Sequence, residues 1–300
     1  MATKHKPIDQ QVIVLTGASS GIGLCTALLA AERGASLVLA ARSEDTLRTV
    51  AGHVSETGAS AISVVTDVGD EDQVARLADA AIQQFGGIDT WANIAGVAIY
   101  GLLEDVSNED SRRLFDTNFW GVVYGSLCAL PHLRNSNGAL INVGSEVSDA
   151  VVPYQGMYSA SKHAVKGFTD ALRVEIEEVE KADVSITLIQ PTAVSTPYPE
   201  HARNYMAQEP KLPSPRIDPH KVAEAILEAA VEGGRDVKVG GMAVLDTVAA
   251  KLLPGLSDKM AARQANRQQQ DVAARAPRGT LYEPGVTGNV YGPGEGVTKK

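Results

Sequence analysis

Three side chains, Ser145, Tyr158 and Lys162, have the types and the spacing of a proton-transfer site. Tyr158 and Lys162 are four residues apart in a predicted helix, so their side chains share one helix face. An ammonium group beside a phenol stabilises the phenolate and is expected to lower the pKa of the tyrosine from about 10 toward neutrality. Tyr158 could then exchange a proton with an alcohol or ketone oxygen that Ser145 holds in place. The same Y-x-x-x-K spacing also occurs on solvated helix faces, and the pair alone leaves that interpretation open.

A glycine-rich turn at residues 16–23 predicts a phosphate-binding loop. It lies between an apolar run at residues 12–15, expected to be a strand, and an Ala- and Leu-rich stretch expected to be a helix. Glycines in such a turn let the backbone approach a pyrophosphate, and the free N–H groups at the helix start favour the anion. Gly17, Ser19 and Gly21 also match the G-x-S-x-G elbow of hydrolases, in which Ser19 would attack a carbonyl. That elbow is expected deep in a parallel sheet, whereas Ser19 follows the first strand, so the dinucleotide interpretation is favoured.

Short apolar runs alternate with helical patterns and predict the elements that position these groups. Seven strands are expected, at residues 12–15, 36–41, 61–66, 88–92, 139–143, 184–189 and 236–239. Such alternation is typical of an α/β fold with a doubly wound, mostly parallel seven-stranded Rossmann-type sheet and helices on both faces. Ser145 follows the fifth strand, at the carboxyl edge where these sheets place their sites.

The predicted domain organisation is a polar N-terminal arm at residues 1–11, one catalytic domain at residues 12–241 and a C-terminal extension at residues 242–300. Residues 196–217 are rich in Pro and polar side chains and predict a mobile flap over the site. In the extension, residues 260–275 are expected to be helical. Residues 276–300 contain Pro and Gly without an apolar pattern and are expected to be disordered or draped over the surface.

Composition restricts the partners. The 300-residue chain has a net charge of −9, which argues against nucleic acid because neutralising phosphates requires a basic face. No apolar run reaches the roughly 20 residues of a membrane span, and residues 1–11 lack the apolar core of a signal peptide. Cys25 and Cys128 are expected to be free thiols, and no Cys/His pair has metal-ligand spacing. We therefore expect a cytoplasmic protein without a metal site.

Seven motifs, among them those described above, occur in a fixed order along the chain. They are the turn T-G-A-S-S-G-I-G at residues 16–23, Asp67 after the third strand, Asn93 with Ala95 and Gly96 after the fourth, Asn118 in a long helix, Ser145, Tyr158 with Lys162, and Pro191 to Thr196 after the sixth strand. In this order and spacing, residues 12–239 resemble the short-chain dehydrogenase/reductase family, in its branch with a TGxxxGxG turn and a YxxxK active site. Ile94 and Thr192 depart from the pattern, since the family often has Asn and Gly there.

The resemblance implies a role for each matching catalytic residue. Tyr158 would be the acid/base, and Lys162 would lower its pKa and bind the nicotinamide ribose. Ser145 would orient the substrate oxygen, and Asn118 would hold a water in the proton relay. The substrate pocket is expected to be lined by Val97, Ile99, Ser145, Val147, Met157, Tyr158 and Ala193.

The resemblance also implies a dinucleotide site. Asp67 and Val68 would contact the adenine, and Thr196 would reach the carboxamide. Asn93 is expected mainly to tie the central sheet together. The implied cofactor-binding residues are Gly17, Ser19, Ser20, Gly21, Ile22, Gly23, Arg42, Asp67, Val68, Asn93, Ala95, Gly96, Tyr158, Lys162, Pro191, Val194 and Thr196.

The cofactor preference can be predicted from charge. NAD-using relatives usually place an Asp at the end of the second strand, whereas this chain has Ala41 followed by Arg42, whose guanidinium suits a 2′-phosphate. NADP (NADPH) is therefore favoured over NAD. The expected function is an NAD(P)-dependent interconversion of a ketone or aldehyde and an alcohol on a hydrophobic small molecule, by a homodimer or homotetramer. A non-catalytic dinucleotide-sensing module of the same fold is the alternative, and a serine hydrolase using Ser19 is a more remote one.

Overall fold

The computed structural model describes residues 5–241, 254–285 and 287–293 of the chain. Its strands are β1 (Val12–Thr16), β2 (Ser36–Ala41), β3 (Ala61–Val65), β4 (Thr90–Asn93), β5 (Ile99–Tyr100), β6 (Ala139–Val143), β7 (Ser185–Pro191), β8 (Arg203–Asn204), β9 (Gln208–Pro210), β10 (Asp236–Val239) and β11 (Gln269–Ala273). Seven of them form one sheet in the order β10-β7-β6-β4-β1-β2-β3. Every neighbouring pair in this sheet is parallel, which confirms the predicted doubly wound fold.

Helices connect the strands and cover both faces of the sheet. They are α1 (Gly21–Glu32), α2 (Glu44–Glu56), α3 (Glu71–Phe85), α4 (Asn108–Phe115), α5 (Gly121–Ser136), α6 (Gly156–Arg173), α7 (Tyr198–His201), α8 (Pro219–Glu232) and α9 (Pro254–Gln264). A π-helical turn at Asp116–Trp120 joins α4 to α5, and a second one at Val174–Glu180 extends α6.

Local sequence explains several helix ends. The Asp70 side chain accepts a hydrogen bond from the Gln73 amide and caps α3, which ends at Gly86 in a left-handed conformation with φ of 81°. Asp218 caps α8 in the same way, and Pro219 stands at the first helical position, where its missing N–H costs no hydrogen bond.

The core consists of two apolar layers, one on each face of the sheet. Successive residues of a strand point to opposite faces, so Ile13 packs with residues of α1 and α8, whereas Val14 packs with residues of α3 and α5. Both side chains are fully buried. This two-sided burial holds the carboxyl ends of the strands, where the candidate site lies, in fixed positions.

The flap region, residues 196–217, contains short regular elements. β8 pairs with β5, and β9 pairs antiparallel with β11 from the C-terminal extension. The helix predicted over residues 260–275 is therefore wrong beyond Gln264, because a 3-10 turn at Ala265–Gln268 leads into β11. Backbone pairing with β9 stabilises β11 as a strand, although its sequence is polar and rich in Gln.

The last described residues are packed rather than loose. We call residues 276–285 and 287–293 the C-terminal strap, and its Leu281 is fully buried in a cluster with Val97, Ile99 and Leu114. The prediction that this stretch is disordered is therefore wrong, and the alternative that it drapes over the domain describes it better. The apolar stretch at residues 242–253 lies outside the described residues. None of the helices among the described residues has the length and apolar character to cross a membrane.

Candidate active site

Ser145, Tyr158 and Lys162 meet at the carboxyl end of the sheet. Ser145 follows β6, while Tyr158 and Lys162 stand on α6, which begins at Gly156. All three line one cavity of about 150 Å³, whose other walls come from the ends of β6 and β7 and from the flap. The Lys162 ammonium lies 5.8 Å from the centre of the Tyr158 ring. The spacing in the sequence therefore corresponds to a shared site and not to a solvated helix face.

Burial dominates the electrostatics of Lys162. Its side chain is almost completely enclosed, with a residue exposure of 4%, and its Nζ donates a hydrogen bond to the Val143 carbonyl at 2.8 Å. Burial disfavours the charged form and lowers the pKa of Lys162 to about 8.

Burial likewise dominates at Tyr158. It raises the pKa of the phenol to about 12, although hydrogen bonding with Tyr198 and Ser145 acts in the opposite direction, and the carboxylate of Glu146 adds to the rise. In the protein by itself, desolvation of the phenol outweighs the stabilisation of its anion, and the lowering of this pKa by Lys162 stays a prediction. Tyr158 is accordingly a protonated acid at neutral pH.

Asn118 lies in the π-helical turn and is fully buried. Its Oδ1 accepts a hydrogen bond from the Val97 amide at 2.8 Å. Its Nδ2 donates to the Val97 carbonyl at 3.0 Å and to Ser161 Oγ at 3.1 Å. The side chain thus fixes the segment after β4 against α6, and a relay role for Asn118 stays a prediction.

Four of the seven predicted substrate residues line the cavity: Ser145, Val147, Tyr158 and Ala193. Val97, Ile99 and Met157 do not line this cavity, and their contact with substrate stays a prediction. Val97 lines the neighbouring cleft, and Ile99 is buried under the strap, where β5 pairs with β8. Met157 precedes Tyr158 on α6 and therefore points about 100° away from it around the helix axis.

The flap supplies lining residues that the sequence analysis missed, namely Tyr198, Leu212 and Pro213. The Tyr198 ring meets the Tyr158 ring edge to face, with centres 5.5 Å apart. Its hydroxyl donates to Gln155 Oε1 at 2.8 Å. Because the flap has no hydrophobic periodicity, its sequence gives no signal for which side chains turn inward.

A second cavity, of about 190 Å³, continues from the first along the strand ends. The predicted cofactor residues that line it are Gly17, Ser19, Ser20, Gly21, Ile22, Gly23, Arg42, Asp67, Val68, Ala95, Gly96 and Thr196. Tyr158, Lys162, Pro191 and Val194 line the first cavity instead. We call the second cavity the dinucleotide cleft, since its lining contains the phosphate-binding turn.

Two positions in the phosphate-binding turn require glycine because a side chain there would collide with neighbouring backbone. A Cβ on Gly17, whose φ is +71°, would lie 2.8 Å from the Ala95 Cα, and one on Gly23 would lie 2.1 Å from the Gly17 carbonyl oxygen. Glycine at these positions lets the start of α1 approach the floor of the cleft, where its first N–H groups lack intrahelical acceptors. The start of α1 thereby forms an anion cradle, in which the Gly21 amide already donates to the Asn289 carbonyl.

Asn93 lies away from the cleft lining. Its Nδ2 donates to Asn142 Oδ1 at 2.9 Å and to Ser126 Oγ at 3.2 Å, and its Oδ1 accepts from Trp91 Nε1 at 2.8 Å. These contacts join β4, β6 and α5, as the sequence analysis expected for this residue. Its inclusion among residues that touch a cofactor is not supported by its position.

Arg42, at the far end of the cleft, is held by the C-terminal strap. Its Nη2 donates to the Thr280 carbonyl at 2.5 Å, and its Nη1 donates to the Leu281 carbonyl at 3.3 Å. Burial lowers the pKa of Arg42, with the nearby Asp67 carboxylate acting to raise it. The Asp67 carboxylate pairs with the Arg113 guanidinium. Arg42 therefore has strap partners that the sequence analysis did not foresee.

The described residues contain no cluster of three or more His, Cys, Asp or Glu side chains that could hold a metal ion. Cys25 and Cys128 are both free thiols.

Comparisons with known proteins agree with this geometry. A family model described as short chain dehydrogenase matches residues 11–206. An uncharacterized oxidoreductase, YxnA of Bacillus subtilis, is 44% identical over 287 residues, covering 94% of this chain and 80% of that protein. The 11-beta-hydroxysteroid dehydrogenase A of Sesamum indicum is 40% identical over 183 residues, which cover 60% of this chain and 51% of that protein. The chain thus spans about half the length of the second relative.

Solved structures show the same fold. A short chain dehydrogenase/reductase from Burkholderia phymatum in complex with NAD has a TM-score of 0.71 at 28% identity, covering 90% of this chain and 100% of that one. An alcohol dehydrogenase from Thermococcus sibiricus, complexed with 5-hydroxy-NADP, has a TM-score of 0.66 at 27% identity, covering 76% of this chain and 94% of that one. With the family model matching more than half of its length, the chain belongs to the short-chain dehydrogenase family of oxidoreductases.

Proposed function

We propose that the protein is an NADP-preferring oxidoreductase that interconverts a ketone or aldehyde and an alcohol. The observation that carries the proposal is the continuity of two cavities: one holds Ser145, Tyr158 and Lys162, and the other contains the glycine cradle. When bound in the cleft, a nicotinamide dinucleotide supplies or accepts the hydride. The chain's own residues bind and orient the substrate oxygen and move the proton.

Tyr158 is assigned as the proton donor to the substrate oxygen during reduction. With a pKa of about 12, the phenol is protonated at neutral pH and can donate, and in the reverse direction it must ionise first. Ser145 lies beside the phenol and would hold the same oxygen. Lys162, one helical turn away, would favour the phenolate that forms when the proton leaves.

The substrate is proposed to be a hydrophobic small molecule. The first cavity is lined largely by apolar side chains, including Val147, Val152, Val194 and Leu212, with a few polar groups near Tyr158. Such a lining suits an apolar body with one oxygen to orient. One relative is named for an 11-beta-hydroxysteroid, which is a compound of this type.

The proposed preference for NADP rests on Arg42, which lines the cleft. A guanidinium has five N–H donors, and the strap carbonyls accept from two of its nitrogens, Nη1 and Nη2, so donors remain for a 2′-phosphate. The strap contacts also fix the orientation of the guanidinium plane, which favours a bidentate contact with phosphate.

Titration of the full chain with NADPH and NADH, followed by nicotinamide fluorescence, tests the cofactor assignment. We expect tighter NADPH binding, and an Arg42→Ala variant that loses about tenfold affinity for NADPH with a smaller loss for NADH. Arg48→Ala is the matched control, since Arg48 is an exposed arginine paired with Glu44 on α2. Equal losses for both cofactors would refute the 2′-phosphate role, and binding of neither would refute the oxidoreductase proposal.

We also propose that the protein is cytoplasmic and forms a homodimer or homotetramer through its long helices. Trp120 and Leu127 near α5 and Val174 after α6 are each exposed by 45% or more, an apolar surface of the kind that subunit contacts cover. Sedimentation of the chain, with Leu127→Glu as the variant expected to dissociate it, tests the assembly.

A further inference from the structure

We propose that the C-terminal strap is part of the dinucleotide site and clamps the bound cofactor. This inference rests on the proposed function and extends it to residues far from the glycine turn in sequence. Strap residues Thr280, Pro284, Gly285 and Thr287 line the same cleft as the turn.

The strap follows the cleft along its length. At one end its carbonyls at Thr280 and Leu281 accept from Arg42. In the middle it bridges the phosphate-binding turn, because the Gly288 amide donates to the Ser19 carbonyl at 2.8 Å and the Gly21 amide donates to the Asn289 carbonyl at 2.9 Å.

Beyond the bridge, the strap approaches the end of the cleft that the nicotinamide is proposed to occupy. A Cβ on Gly292 would lie 3.1 Å from the Thr196 carbonyl oxygen, so glycine permits this close approach. The strap therefore reaches from the Arg42 end to the Thr196 end of the cleft.

Buried and hydrogen-bonded residues hold the first part of the strap against the domain. Leu281 is fully buried, and the Tyr282 hydroxyl donates to Asp110 Oδ1 at 2.7 Å. The Thr280 amide donates to the His201 carbonyl at 2.8 Å. Gly279 has a φ of +54°, and a Cβ there would lie 2.3 Å from the Ala202 carbonyl oxygen. These contacts fix the base of the strap against α4 and the flap.

The strap roofs the cleft and leaves it open inside. The cavity of about 190 Å³ lies between the strap and the turn, since residues of both line it. Gly21 donates to the strap, whereas the next residues of α1, Ile22 and Gly23, line the cavity and belong to the first helical turn, whose amides have no intrahelical acceptors. A roof above an open anion cradle slows departure of the ligand beneath it.

Dissociation kinetics of NADPH from the full chain test this clamp. Leu281→Ala should raise the NADPH dissociation rate and Kd by about tenfold, because the strap loses its buried anchor. Val272→Ala is the control, since Val272 is an exposed valine in the same extension. Unchanged NADPH kinetics in Leu281→Ala would overturn the clamp and leave the proposed function standing. Faster association with tighter binding would also overturn it, since the strap would then be a competitor.

Amide hydrogen exchange of the unmodified chain gives a second test, and because it needs no substitution, a folding defect cannot affect its result. Residues 277–285 should exchange more slowly when NADPH is bound, while β11, in the same extension, changes little. Faster exchange of the strap with NADPH would show expulsion and contradict the clamp. If neither NADPH nor NADH binds the chain or alters its hydrogen exchange, both the clamp and the proposed function fail.

Discussion

The two ends of the cleft are built in different ways. At the proton-transfer end, Ser145, Tyr158 and Lys162 come from one strand and the helix that follows it. At the other end, Arg42 is held by a carbonyl 238 residues further along the chain. The first end is made by local spacing on a fixed sheet edge, and the second by long-range packing of a segment added after the domain. We infer that chemistry is encoded locally here, whereas cofactor retention depends on the strap.

The two ends of the cleft also differ in how their ionisable groups are stabilised. Burial shifts the pKa values of Tyr158 and Lys162 in opposite directions, to about 12 and about 8, so that at pH 7 the phenol is neutral and the amine is still mostly protonated. At the other end, Asp67 and Arg113 form an ion pair and Arg42 keeps its charge among carbonyls. Substitutions at the first end should therefore change turnover most, and those at the second should mainly change cofactor exchange.

Replacing the proton donor gives the largest expected effect. Tyr158→Phe should lower kcat/KM by about a thousandfold, because general acid catalysis is lost while the cavity keeps its shape. NADPH affinity should change little. Steady-state kinetics and NADPH titration measure the two quantities, with Tyr124→Phe on α5 as the control. Full activity in Tyr158→Phe would remove the acid/base assignment.

Lys162→Met should separate activity from stability. Turnover should fall by about a hundredfold, while the free energy of unfolding at pH 7 should rise by about 2 kcal/mol, because a buried ammonium no longer has to be desolvated. The folded-state pKa of Lys162, about 8, lies below the usual 10.5, so the unfolded chain binds more protons between these values. The gain should thus be complete below pH 8 and shrink toward pH 10.

Urea denaturation at pH 7 and pH 10 measures this difference. Lys166→Met is the control with the opposite sign, since Lys166 lies 3.4 Å from Asp170 in an ion pair on the same helix. A Lys162→Met variant that is less stable than the unmodified protein at pH 7 would contradict the account of burial.

A smaller effect is expected at the base of the strap. The Asp110 carboxylate accepts from Arg203 Nε, the Tyr205 hydroxyl and the Tyr282 hydroxyl, each at 2.7 Å. Burial acts to raise the pKa of Asp110, but these hydrogen bonds outweigh it and hold the pKa below the usual 3.8. Asp110 therefore joins α4 to the flap and the strap in its ionised form.

Asp110→Asn should lower the free energy of unfolding at pH 7 by about 1 to 2 kcal/mol. Because the folded-state pKa is depressed, this contribution is present above the unfolded-state pKa and is lost as pH falls through the folded-state value, so the variants should converge only below about pH 4. Denaturation at pH 7 and pH 3 checks the trend, with the exposed Asp105→Asn as control. A difference that stays constant with pH would mean that the carboxylate charge is not involved.

Sequence patterns predicted the sheet well because each strand carries its own apolar run. The bounds of β2 and β6 match the predicted ranges, and β4 begins two residues late because the side chain of Asp89 accepts from the Val12 amide beside it. The proton-transfer residues were also accessible to sequence analysis, since one helix turn and one strand end fix their neighbourhood.

The strap and the pocket walls were not predictable in this way. Backbone carbonyls such as those of Thr280 and Leu281 have no sequence signature, so the contacts of Arg42 could not be foreseen. The position of Ile99 could not be predicted because the pairing of β5 with β8 depends on the flap. Gln268 is fully buried against Gln155 and Pro153, a burial that a Gln-rich helical pattern does not suggest.

Transfer of deuterium from NADPH that carries deuterium at both C4 positions to a hydrophobic ketone tests the central claim most directly. Mass spectrometry of the product alcohol should show one deuterium on the carbinol carbon for the full chain, and product formed about a thousandfold more slowly by Tyr158→Phe. An alcohol product without the label, or no product from any ketone in a panel while NADPH is bound, would contradict the assignment of this cleft to hydride transfer.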